Sequence, residues 1–110
     1  MDQRPLRWRR VHTLPAYVYF DHSIHVAKGV GCSTCHGRID EMPLTRQVAP
    51  LTMDWCLDCH RDPAAKLRPQ AAVFDMAWKA PDDQPEKGRQ LLRAYHIDTA
   101  KLTDCSICHR

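Results

Sequence analysis

What this chain lacks first is aliphatic bulk. Of its 110 residues, 44% count as hydrophobic, but Leu, Ile, Val and Phe supply only 21, or 19%; the rest are Ala, Cys, Met, Trp and Tyr. A share below about 20% ordinarily marks disorder, though in chains of large net charge, and here the net charge is only +3. An excess of one sign is also missing: 16 Lys and Arg stand against 13 Asp and Glu. That balance excludes a nucleic-acid binder carried by a strongly basic face. No run approaches the roughly 18 apolar residues of a membrane span, and the longest, Val11 to Phe20, is broken by His12, Thr13 and Pro15. Arg4, Arg7, Arg9 and Arg10 precede that stretch, yet no clean apolar region or small-residue cleavage site follows. They are not read as a secretory signal, and any export signal is expected outside this sequence. The length predicts one domain, 1–110, whose first ten residues form a basic surface arm. Something other than aliphatic side chains must fill its interior.

The six cysteines supply the answer. A disulfide framework would leave their connectivity open, but they fall as Cys32 and Cys35, Cys56 and Cys59, and Cys105 and Cys108, each pair followed at once by His36, His60 or His109. C-x-x-C-H is the attachment signature of a c-type haem. Two thiols three positions apart lie on one side of a helical turn, where they add to the two vinyl groups of a haem. The next histidine brings an imidazole nitrogen to the iron as proximal ligand. Three motifs therefore predict three covalently bound haem c groups. A four-cysteine zinc site would leave one pair unused, and a thioredoxin-like redox pair should sit once, beside a βαβ pattern. Neither explains three adjacent histidines.

The remaining residues predict a mostly irregular fold with short α-helices around a haem core. Val11 to Phe20 reads as a strand or extended segment, because Tyr17, Val18, Tyr19 and Phe20 favour that conformation. His22 and His25 are three apart and share a face if helical; Gly29 and Gly31 end that turn. The 19 residues between His36 and Cys56, with Pro43 and Pro50, read as a loop. Thr52 is a candidate cap for a helix from Met53 to His60. Pro63, Pro69, Pro81 and Pro85 cut the longest interval into pieces, of which only Pro85 to Tyr95 reads as a full helix, with Pro85 at its first position and an apolar side of Leu91, Leu92 and Tyr95. The motifs start 24 and 49 residues apart, so this is no regular solenoid.

Four histidines remain for the second axial position. His22, His25 and His12 are the leading distal candidates, and His96 follows, although it could equally cap a helix dipole. Met53 and Met42 are further candidates, since His/Met ligation raises the potential of a haem. Trp55, Tyr17, Tyr19, Phe20 and Trp78 are expected to pack on porphyrin faces or edges, and Asp54 and Asp58 to be solvated.

Val18-Tyr19-Phe20-Asp21-His22-Ser23-Ile24-His25, followed by Gly31-Cys32 and Cys35-His36, resembles the F-x-H-x-x-H then C-x-x-C-H opening of class III multihaem cytochromes c. That resemblance implies His22 as ligand of the haem on Cys32 and Cys35, and His25 as ligand of one of the other two. More narrowly, Arg10-Val11-His12-x-Leu14-Pro15, Cys35-His36-Gly37-Arg38-x-Asp40-Glu41-Met42, Met53-x-Trp55-Cys56-x-x-Cys59-His60-Arg61 and Cys105-Ser106-x-Cys108-His109-Arg110 resemble the pentahaem cytochrome subunit of bacterial alternative complex III, which oxidises quinol. The likeness runs from about residue 7 to the end. Two further haem motifs and a membrane anchor of that subunit are not in this sequence, so it resembles the C-terminal three-haem part or a shortened relative. The same resemblance keeps Met42 and Met53 as candidates for a His/Met haem.

The function expected is electron transfer without transformation of a substrate, on the periplasmic side of the membrane, with redox proteins as partners, a quinol-oxidising membrane complex among them. Two rivals stand beside it. One is an enzyme reducing a small molecule at a haem with an open axial site, and the other a non-catalytic subunit of a respiratory complex. With three haems the net charge would fall to about zero oxidised and about −3 reduced. The arginine arm could still dock an acidic partner or anionic lipid, or remain a solvated tail. Without haem the chain is expected to be largely unfolded.

Overall fold

A computed structural model describes residues 3–109, so Met1 and Asp2 of the predicted arm, and the terminal Arg110, lie outside the described residues. The described residues run as five short α-helices joined by turns: α1 His22–Ala27, α2 Cys32–His36, α3 Met53–Arg61, α4 Gln84–Ala94 and α5 Cys105–Cys108. Single 3-10 turns lie at Ile39–Glu41, Pro63–Lys66, Gln70–Ala72 and Thr99–Lys101. The only β pairing among the described residues is an isolated antiparallel bridge between Val30 and Leu67. The expectation of short helices in an irregular frame holds.

Asp21 starts α1 by accepting hydrogen bonds from the Ser23 backbone N–H at 2.9 Å and the Ser23 hydroxyl at 2.6 Å, the standard service of an N-cap carboxylate. At the other end Gly29 has φ 81°. Its N–H donates to Val26 and that of Val30 to His25, a left-handed cap that glycine adopts without a Cβ penalty. A Cβ on Gly29 would collide with the Tyr95 ring and the Arg68 carbonyl. The histidines of α1 are thus held between two firm ends.

α3 extends one residue past the predicted His60, to Arg61. Thr52 occupies its N-cap position, but the hydroxyl donates to the Asp54 carboxylate at 2.5 Å rather than capping the backbone. Asp54, hydrogen-bonded to Thr52, is exposed to solvent as expected, and Asp58 is 80% exposed, 3.8 Å from Arg61. α4 begins one residue before Pro85 and ends one before Tyr95. Pro85 and Glu86 in its first turn and Arg93 in its last agree with its proline and dipole preferences.

α4 packs on the 3-10 turn 63–66. Gly88 lies so close to the Ala64 carbonyl that no side chain fits between them. The buried Gln84 amide donates to the carbonyls of Ala64 at 3.0 Å and Leu67 at 2.8 Å, and the Tyr95 hydroxyl donates to the Arg68 carbonyl at 2.7 Å. The core around this clamp is small: among the described residues the buried apolar side chains are Pro63, Ala64, Leu67 and Val73. The accessible surface of 8610 Å² compares with about 6,200 Å² for a compact protein of this mass. The polypeptide alone does not close around itself.

Val11 to Phe20 forms no strand. It is irregular, with a turn in which the Val18 N–H donates to Pro15 at 2.9 Å. A backbone bond ties it to the last motif, from the Tyr19 N–H to the Cys108 carbonyl at 2.8 Å. A period-two pattern cannot become a strand when no neighbouring strand offers its hydrogen bonds.

Candidate functional site

Each cysteine pair sits on its own helical turn: Cys32 and Cys35 on α2, Cys56 and Cys59 on α3, Cys105 and Cys108 on α5. None of the six thiols is joined in a disulfide. They stand close enough to influence one another: burial and the neighbouring Cys59, Cys56 and Cys32 push the Cys35 thiol up to about 11. Burial likewise raises Cys56, helped by Cys108, and raises Cys59. No group of three or more His, Cys, Asp or Glu among the described residues is arranged to chelate a bare metal ion. The cysteines do not converge on a zinc cage.

The histidines come together two by two. An imidazole nitrogen binds a first-row metal at about 2.0 Å, and the ring centre lies about 1.1 Å behind it, so two imidazoles facing one another across one iron have centres about 6.2 Å apart. His22 and His36 have ring centres 6.4 Å apart with planes 2° from parallel. His25 and His60 are 6.3 Å apart at 40°. Both spacings are too wide for ring contact and fit the donor set of a six-coordinate haem. Because the two α1 histidines are separated by one turn, one short helix addresses two motifs.

Hydrogen bonds fix the ring orientations. His25 donates from Nδ1 to the Asp21 carbonyl at 2.8 Å, His60 to the Leu102 carbonyl at 2.7 Å, and His109 to the Tyr17 carbonyl at 3.0 Å. A ring that donates from Nδ1 keeps its Nε2 lone pair for a metal. Burial disfavours the charged form of His25 and, with His12 and His22 nearby, of His36. Neutral imidazole is the ligating form.

The other sequence-predicted residues divide. His12 meets His36 from outside, with its Nε2 3.3 Å from His36 Nδ1 and the rings edge to face at 4.5 Å. It stands edge-on beside His36 rather than facing it across a gap. His96 lines a cavity of about 320 Å³ together with His25, Cys59, His60 and Ile107. Its φ of 54° puts it at the left-handed position after α4, where the N–H of His96 donates to Arg93 and that of Ile97 to Leu92. It therefore lies past the helix end. Met53 opens α3 and is 64% exposed; Met42 caps the turn Ile39–Glu41.

Among the aromatics, Phe20 packs on both α1 histidines, at 4.8 Å from His22 and 4.4 Å from His25, and Tyr17 lies 5.8 Å from His109. Tyr19 is 52% exposed and Trp55 half-buried. Trp78, expected on a porphyrin face, instead covers the Arg68 guanidinium at 4.6 Å. The reading of the sequence missed Arg68, the one buried charged side chain among the described residues. Its only signal is position: it stands beside Leu67 with no other charge before Asp75.

The model of a family described as cytochrome c7 and related cytochrome c matches residues 18–110. No curated protein matches the chain.

Proposed function

The chain belongs to the cytochrome c7 and related cytochrome c family, multihaem electron-transfer proteins with covalently bound haem, and from that membership we propose that it carries three haems and relays single electrons between them. The two histidine pairs at 6.3–6.4 Å carry this reading. Haem, when bound, supplies one-electron exchange through iron cycling between ferric and ferrous states.

The chain's own residues attach, orient and shield it. Cys32 and Cys35, Cys56 and Cys59, and Cys105 and Cys108 hold the three groups by thioether bonds, with His36, His60 and His109 as proximal ligands. His22 completes the first set and His25 the second. His12 acts on His36 through its outer nitrogen, which tunes the basicity of that ligand. For the third set Met53 is the best-supported donor. It lies one turn before Cys56 on the same face of α3, and Cys56 is near enough to Cys108 to raise its own pKa. His96 borders the second site.

The narrower reading concerns partners. The motifs around His12, Cys35 to Met42 and Met53 to Arg61 resemble the pentahaem subunit of alternative complex III, which supports a quinol-oxidising membrane complex as electron donor and a periplasmic protein as acceptor. No helix among the described residues is long and apolar enough to cross a membrane; in this reading such a complex engages the chain on the periplasmic side. Copurification with quinol-oxidising partners supports that reading; a chain that purifies alone and exchanges electrons only with soluble donors contradicts it.

Low-temperature electron paramagnetic resonance of the ferric protein tests the ligand sets. Two low-spin bis-histidine signals are expected, with a third signal of His/Met type that disappears in M53A. High-spin signals at all three haems would overturn the assignment.

A further inference from the structure

Arg68 keeps only 3% of its surface. Its backbone N–H donates to the Gly29 carbonyl at 2.8 Å. The guanidinium donates from Nη1 to the carbonyls of Ala72 at 3.2 Å and Asp75 at 3.0 Å, and from Nη2 to the hydroxyls of Ser33 at 2.5 Å and Thr34 at 3.4 Å. Trp78 covers its face, and Gly31 presses so close that any Cβ there would overlap the guanidinium. Nε is buried without a partner. Every acceptor in this set is a neutral oxygen.

That arrangement is costly. A buried cation without a paired carboxylate loses hydration that neutral acceptors only partly replace, and the orphaned Nε adds the cost of an unmade hydrogen bond. Burial accordingly draws the pKa of Arg68 down, with Asp75 and Cys32 opposing. A guanidinium nevertheless stays charged at any ordinary pH. Ser33 and Thr34 are the two residues enclosed by Cys32 and Cys35, so the charge is fastened to the turn of the first motif. The second motif has Leu57 and Asp58 at the same places and the third Ser106 and Ile107. The cation therefore distinguishes one site from the other two.

We infer that Arg68 is a positioning residue that fixes the Cys32–His36 turn through Ser33 and Thr34, and that its charge, to which no carboxylate is hydrogen-bonded, makes the first haem easier to reduce than it would be without that cation. This rests on the reading that Cys32, Cys35 and His36 hold a haem. Reduction adds one electron, and a fixed cation in a low-dielectric interior favours the state that has gained it. Water screens the same charge poorly here because Trp78 and Gly31 exclude it.

The test is a spectroscopically resolved potentiometric titration of the holoprotein, with the first haem identified by the signal that changes in H22M. In R68M its ferrous-to-ferric ratio at fixed potential should fall roughly tenfold, about 59 mV for a one-electron couple, while the other haems stay put. R68K, which keeps the charge, should stay near wild type. W78L keeps Arg68 but admits water, and should shift the potential in the same direction by less. If R68M yields no holoprotein, the sign of the W78L shift decides. Unmoved potentials in protein whose Cys32–Cys35 peptide carries haem overturn the inference alone. A peptide without haem overturns the functional reading with it.

Discussion

At the scale of single residues, the role of each histidine turns on which nitrogen it has left to offer. His25 spends Nδ1 on Asp21 and His60 spends it on Leu102, so both keep Nε2 for the iron that the proposed function gives them to share. Replacing a distal histidine by alanine should open one axial position. H22A and H25A are each expected to bind one equivalent of carbon monoxide per reduced chain, where the wild type binds almost none. His12 predicts the opposite outcome. Its Nε2 is engaged with the outer nitrogen of His36, so H12A should move the potential of the first haem and leave carbon monoxide binding unchanged. Binding gained in H12A would make His12 a distal ligand instead. Sequence spacing could not separate these roles, because a free histidine looks the same whether it faces the iron or the back of another ligand.

At the scale of elements, close approach replaces side-chain bulk. Gly88 lets α4 rest directly on the backbone of the turn 63–66, and G88A should cost about 1–3 kcal/mol by overpacking, read as a lower unfolding midpoint of the holoprotein. His96 makes a complementary case. It holds a left-handed φ of 54° where glycine is the usual residue. H96G should stabilise the chain by up to about 1 kcal/mol and leave the haem spectra intact if His96 only borders the second site; loss of a low-spin signal would show that it ligates. These elements also mark how far the sequence could be read. α3 and α4 were legible within a residue at either end, because threonine, proline and the 3.6-residue pattern act locally. The segment 11–20 was less so: its β propensity has no partner strand to satisfy. The buried Arg68, with Trp78 above it, was not legible at all, since a buried charge is defined by residues far apart in sequence.

At the scale of the whole molecule, the shortage of aliphatic residues becomes a statement about cofactor dependence. The few buried apolar side chains among the described residues, Pro63, Ala64, Leu67 and Val73, cannot offset a backbone ordering cost of about 1–2 kcal/mol per residue. Covalent haem supplies apolar surface and cross-links together, the remedy small domains commonly need. A variant with all six cysteines changed to serine should therefore lose most of its far-ultraviolet helical signal and show no cooperative melting; a folded, cooperatively melting variant would contradict this. The three C-x-x-C-H motifs were plain in the sequence because each is written in consecutive residues, whereas the histidines that face His36 and His60 come from another element, α1. The intact mass of the chain, matured where c-type haem is attached, tests the three-haem proposal. Three covalent haem additions, mapped to the peptides carrying Cys32–Cys35, Cys56–Cys59 and Cys105–Cys108, are predicted, and fewer than three on fully matured protein would contradict it.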